Sequence, residues 1–148
     1  MSPDTKSFAR MVAFIQETHR AAEAALAGAM VTPAQFFILS SLRAKPGMSQ
    51  VELAEALGVT AGNVSQLVAK LEAARLVARA GQGRAKLVSL TASGERLVAR
   101  LAPEHEEFLR GRFAALSAAE RKTLSSLLEK LVPSPAGAAR GGARSPRR

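Results

Sequence analysis

The sequence predicts a mainly α-helical fold with one small β wing, on three observations. Apolar residues recur at helical spacing over most of residues 5–132, Ser/Thr-x-x-Glu/Gln helix starts recur at Thr32, Ser49 and Ser117, and period-two alternation appears once, at 76–90. A chain of 148 residues that is 47% hydrophobic suits one domain with a core.

The elements follow in order. Phe8, Met11, Val12, Ile15, Ala22 and Leu26 form a stripe on a first helix from about Thr5 to Ala27. Thr32 caps a second, Pro33 to Arg43, with Pro33 at its first position and Gln35 placed to reach back, and Lys45-Pro46-Gly47 ends it. Ser49 and Glu52 open a third, Gln50 to Leu57, which Gly58 closes. Thr60 caps a fourth, about Ala61 to Ala74, whose Val64, Leu67, Val68 and Leu71 share one face. Two short strands, 76–79 and 86–90, flank the glycine-bearing loop 80–85. Thr91 caps a fifth helix that runs past Pro103 to about Leu116, with a kink expected at the proline, and Ser117 with Glu120 starts a last one.

Charge points to an anionic partner, with a membrane surface as the rival to nucleic acid. The formal charge is +9, of which the tail Pro133–Arg148 carries +4 as four Arg without an acid. Lys70 to Arg100 supplies a local +5, and the tail, rich in Pro, Gly, Ala and Arg, reads as a flexible extension. Residues 24–42 lack charge, but Gly28, Thr32, Pro33, Gln35, Ser40 and Ser41 interrupt them, so two buried helices meeting at a turn explain the run better than a membrane span. The N-terminus lacks the pattern of a secretory signal, and a cytoplasmic location is expected. Zero Cys excludes disulfides, Cys-ligated metal and a thiol sensor.

Ala54, Gly58, Val59, Val64 and Leu67 supply the small contact residue, turn glycine and apolar wedge that two steeply crossing helices need. With a basic hairpin behind it, this is a winged helix-turn-helix, its second helix shaped for a DNA major groove. On that helix, at ~100° per residue, the outward face is Gly62, Asn63, Ser65, Gln66, Ala69 and Lys70. Asn63 and Gln66 can pair with adenine, Ser65 can reach several base edges, and Gly62 allows close approach of the backbone. Ser49 and Thr60 at their helix starts, with Lys70, Arg75 and Arg79, are the expected phosphate contacts.

The chain resembles the MarR-type transcriptional regulators. The resemblance rests on Thr32-Pro33-Ala34-Gln35-Phe36, on residues 50–59 (QVELAEALGV), on residues 64–72 (VSQLVAKLE), on residues 87–94 (LVSLTASG), and on Leu116-Ser117-Ala118-Ala119-Glu120-Arg121. It spans residues 8–132. It implies an organisation in which 1–132 form the regulator, with 5–31 and 102–132 as dimerisation helices and 32–101 as the winged domain, leaving 133–148 as a basic disordered tail. It also implies an obligate homodimer on double-stranded DNA at a palindromic operator, a repressor's role, and a pocket for a small aromatic or anionic effector. Here Phe14, His19, Arg20, Phe36 and Phe37 are the candidates to line that pocket.

The apolar stripes agree with a dimer: the first helix and the row Phe108, Phe113, Leu116, Leu124, Leu128 and Leu131 exceed what one small core can cover. The wing departs from the family's Asp-Arg-Arg tip, since Gln82-Gly83-Arg84 lacks the Asp and one Arg. Arg84 and Lys86 are its basic candidates. No catalytic residues, metal site or cofactor are expected: His19 and His105 lie 86 positions apart without metal-ligand spacing, and Gly81-Gln82-Gly83 does not open a helix. The rival readings are a winged-helix module that binds a protein partner and holds DNA weakly, and nonspecific binding driven by the Arg tail.

Overall fold

The computed structural model describes residues 1–81 and 86–133. They form two compact units, one from Met1 to Phe108 and one beginning at Leu109. Helix α1 (Pro3–Leu26) starts two residues before the predicted point because Ser2 accepts the Thr5 amide and Pro3 takes the first helical position. One 3-10 turn (Ala27–Ala29) ends on Met30 at φ 58°, and α2 (Pro33–Ala44) follows. Thr32 and Gln35 bond each other's backbone N–H, the reciprocal cap read from the sequence.

Helix α3 (Gln50–Leu57) and α4 (Ala61–Ala73) lie as expected, joined through Gly58 at φ 71°. That left-handed turn lets the Gly58 and Val59 amides both reach the Ala54 carbonyl, at 2.9 and 3.1 Å. Val59, read as a wedge, is exposed instead, so Leu53, Ala54 and Val64 hold the helix crossing.

The sheet has three strands where the sequence promised two. Met48–Ser49 (β1) pairs antiparallel with Leu87–Leu90 (β3), which also pairs with Val77–Ala80 (β2), in the order β1-β3-β2. A two-residue strand is too short to show alternation, which is why sequence periodicity misses it. Leu76, predicted in a strand, instead accepts the Thr91 amide through its carbonyl, and β2 begins one residue later.

Phe36, Ile38, Leu39 and Leu42 from α2 meet Leu53, Val64, Val68, Leu71, Val77, Val88 and Val98 in one core. Burial accounts for the uncharged run at 24–42 through α2, whereas of residues 24–30 only Leu26 is buried, so the expected pair of buried helices holds for the second alone; the two helices are bent by 77°. No single helix among the described residues is long and apolar enough to cross a membrane.

Helix α5 (Ala92–Arg112) includes Pro103 and ends four residues before the predicted Leu116. The Ala114 and Leu116 amides turn back to Gly111 and Phe113. Helix α6 (Ala118–Leu131) then starts with Ser117 and Glu120 capping each other. Its Arg121 donates Nε to the carbonyls of Phe113 and Leu116 at 3.1 and 3.2 Å, a second bond for the Phe113 carbonyl, which already accepts the Leu116 amide.

Candidate nucleic-acid interface

Helix α3 is anchored at its start. The Ser49 hydroxyl accepts the Glu52 amide, while the Ser49 amide and Lys45 Nζ both donate to the Glu52 carboxylate, at 2.9 and 2.7 Å. The Lys45 ammonium first, and then the Ser49 amide, hold the Glu52 carboxyl below the usual carboxylate range. Thr60 plays the same capping part for α4, its hydroxyl accepting the Asn63 amide at 3.2 Å. The hydroxyls of Ser49 and Thr60 are therefore engaged as caps.

The buried side of α4 is Val64, Val68 and Leu71, with Leu67 partly covered. Gly62, Asn63, Gln66, Ala69 and Lys70 are exposed and Ser65 is half-buried, so the structure brings together on one face the side chains grouped from helical angles. Most of this face is uncharged.

Helix α4 closes with Arg75 where a glycine is usual. The Arg75 amide bonds the Glu72 carbonyl at 2.9 Å, the Leu76 amide bonds the Leu71 carbonyl at 3.0 Å, and Arg75 sits at φ 59°. This paired closure needs the left-handed conformation at that residue. The Arg75 side chain is exposed at the foot of α4, and Lys86 is exposed just before β3. Arg84, the wing-tip candidate, lies outside the described residues.

Arg79 is placed differently from a solvated cation. It shares the inward face of β2 with Val77 and is half-buried. Its Nε is 3.8 Å from a Glu72 carboxylate oxygen, and Nη2 reaches the Ser65 carbonyl at 3.5 Å. The signal was in the sequence: Arg79 stands two residues from Val77, hence on the same face of the strand.

The five effector candidates occupy different settings. Phe36 is buried and Phe14 half-buried, while His19, Arg20 and Phe37 are exposed; His19 Nδ1 is 3.5 Å from Glu23. Phe36 lines an open groove of about 310 Å³ between α2 and α5, with Ser40, Arg43, Val98, Ala102, His105 and Glu106. His105, set aside in the sequence for want of metal-ligand spacing, meets Phe36 in a tilted ring contact with centres 4.7 Å apart. Burial holds its imidazole below the ordinary histidine range, against the opposing pull of the Glu106 charge. Only a tertiary contact pairs two residues so far apart in the chain. Among the described residues no group of three or more His, Cys, Asp and Glu is arranged to hold a metal ion.

Two capped helices crossing at a glycine turn, with a strand pair behind them, define a winged helix-turn-helix protein. A family model described as MarR family matches residues 31–86. An uncharacterised HTH-type transcriptional regulator of Bacillus cereus is 31% identical over 123 residues, covering 82% of this chain and 84% of that protein. The structure of Bordetella bronchiseptica BpsR, solved to explain how 6-hydroxynicotinic acid regulates its DNA binding, matches with a TM-score of 0.66 and 30% identity, over 86% of this chain and 93% of that one. That of Staphylococcus aureus MepR bound to DNA matches with a TM-score of 0.72 and 28% identity, over 88% and 96%. The chain belongs to the MarR family and is a DNA-binding transcriptional regulator of winged-helix fold.

Proposed function

We propose that the protein is a homodimeric repressor that reads a palindromic operator with α4 and is released by a small aromatic or anionic effector. The observation that carries the reading is the outward face of α4, Gly62, Asn63, Ser65, Gln66, Ala69 and Lys70, exposed except for half-buried Ser65, which follows the capped starts of α3 and α4 and precedes Arg75 and Lys86. Asn63 and Gln66 read base edges; Ser49, Thr60, Lys70, Arg75 and the wing contact phosphates.

Residues 32–101 make up the DNA-binding part, and 5–31 with 102–132 the dimer. Support for the dimer comes from Phe8, Ile15, Leu127 and Leu131, each more than half exposed on α1 or α6. The effector is an aromatic acid seated between α2 and α5, where Arg43 and Ser40 can hold a carboxylate beside the Phe36 and His105 rings. The 6-hydroxynicotinic acid that regulates BpsR is a compound of this class.

The test compares binding of residues 1–132 to the DNA upstream of the protein's own gene and to random DNA, at several salt concentrations. Preference for the upstream DNA is expected. Equal binding to both sinks the repressor reading and leaves the second one, a winged-helix module for a protein partner, which the uncharged face of α4 favours.

A further inference from the structure

We propose that Arg79 positions the recognition helix and does not serve as a phosphate contact; this rests on the reading of α4 as the helix that meets DNA. The alternation of β2 puts Arg79 on the face of Val77, which is 2% exposed. From there its guanidinium spans seven residues of α4, with Nη2 3.5 Å from the Ser65 carbonyl in the first half of the helix and Nε 3.8 Å from Glu72 in its last turn. One rigid planar group thus ties the middle and the last turn of α4 to the strand that leads into the wing.

The arrangement is costly in a telling way. Arg79 Nε is buried and has no hydrogen-bond partner, its charge being met by the Glu72 carboxylate 3.8 Å away. A guanidinium used only for phosphates would lie in solvent, as Arg75 does, and would avoid that desolvation. Arg79 also pairs across the ladder with the fully buried Val88, which leaves its stem little freedom to swing outward. The group therefore sets the tilt of α4 against the wing, and with it the alignment of Asn63 and Gln66 to base edges.

The two roles give opposite results. Binding is measured for Arg79→Met and Glu72→Gln on a duplex selected from a random pool by the wild-type protein and on a random duplex, across a salt series, with melting curves as a check on folding. Positioning predicts that Arg79→Met cuts the selected-to-random affinity ratio about tenfold and leaves the salt slope on random DNA unchanged. Glu72→Gln, which keeps the side-chain shape, then lowers the ratio in the same direction by a smaller factor, about threefold. A phosphate contact predicts equal losses on both duplexes for Arg79→Met, a salt slope shallower by about 0.9, and tighter binding to both for Glu72→Gln; any of these overturns the proposal. Should the wild-type protein select no sequence, the proposed function fails by itself. The slope on random DNA then still decides for or against a phosphate role for Arg79.

Discussion

The Thr91 hydroxyl donates to the Arg75 carbonyl at 2.7 Å, tying the start of α5 to the left-handed residue that joins α4 to the wing. The Thr91 amide reaches the neighbouring Leu76 carbonyl at 3.1 Å, and the same hydroxyl accepts the Gly94 amide. One side chain therefore caps α5 and holds the exit of α4.

Arg75 adopts a conformation that costs a side-chain-bearing residue on the order of 1 kcal/mol and costs glycine almost nothing. Arg75→Gly is expected to raise stability to urea by about 1 kcal/mol while weakening binding to every DNA sequence alike, with a salt slope lower by about 0.9. An unchanged urea midpoint would mean that the side chain makes good its backbone strain within the free protein.

Gly94 has no room for a methyl group. A Cβ there would strike the Leu76 carbonyl, whose position is set by the Thr91 amide. Backbone cannot yield as a flexible side chain can, so Gly94→Ala should cost about 2–4 kcal/mol in urea unfolding. A loss below about 0.5 kcal/mol would show that α5 can shift off the strand.

Much of this was legible from local chemistry. The caps at Thr32, Ser49, Thr60 and Ser117 are short-range pairings that residue types alone announce, and the outward face of α4 follows from helical angles. The misses depend on what lies across the fold. β1 exists because Met48 and Ser49 find Val88 and Leu87, Arg79 finds its Glu72 partner only across the fold although strand alternation already turns it to the face of Val77, and His105 acquires its surroundings from Phe36. The stop of α5 at Arg112 was missed because the apolar period carries on through Phe113 and Leu116 after the helix has ended.

Gln66 and Lys70 stand one turn apart on the exposed side of α4 and should fail differently. Gln66→Ala is expected to cost about 1–3 kcal/mol on the selected operator and little on random DNA, because a base-edge pair is lost. Lys70→Ala should weaken both alike. Identical losses for the two variants would remove Gln66 from base reading.

His105 gives stability a pH dependence of known sign. Its folded pKa lies below the ordinary value of about 6.5, chiefly because burial beside Phe36 disfavours the charged ring, while the Glu106 charge acts the other way. Arg43 of α2 lines the same groove. The unfolded chain then binds the proton more tightly than the folded one, so stability is full above about pH 6.5 and falls as the pH drops through that value toward the folded pKa. In urea unfolding at pH 7.5 and pH 5.5, His105→Gln should lose less on acidification than the wild-type protein. Equal losses would place the acid sensitivity elsewhere.

The proposed dimer can be tested without disturbing the core. Ile15 is 63% exposed on α1 and Leu131 68% exposed on α6, and neither belongs to the buried cluster. Each such side chain is worth about 1.5–3 kcal/mol once fully buried, and symmetry counts each contact twice, so introducing charge at both positions should outweigh the association energy of a small dimer. Ile15→Glu with Leu131→Glu is therefore expected to sediment as a monomer with unchanged helical circular dichroism. Its affinity for the selected palindrome should fall at least about a hundredfold, because one recognition helix must then bind alone. A double variant that still sediments as a dimer would move the interface away from these two helix faces, and a monomer that keeps full affinity would deny that the operator is read by two copies.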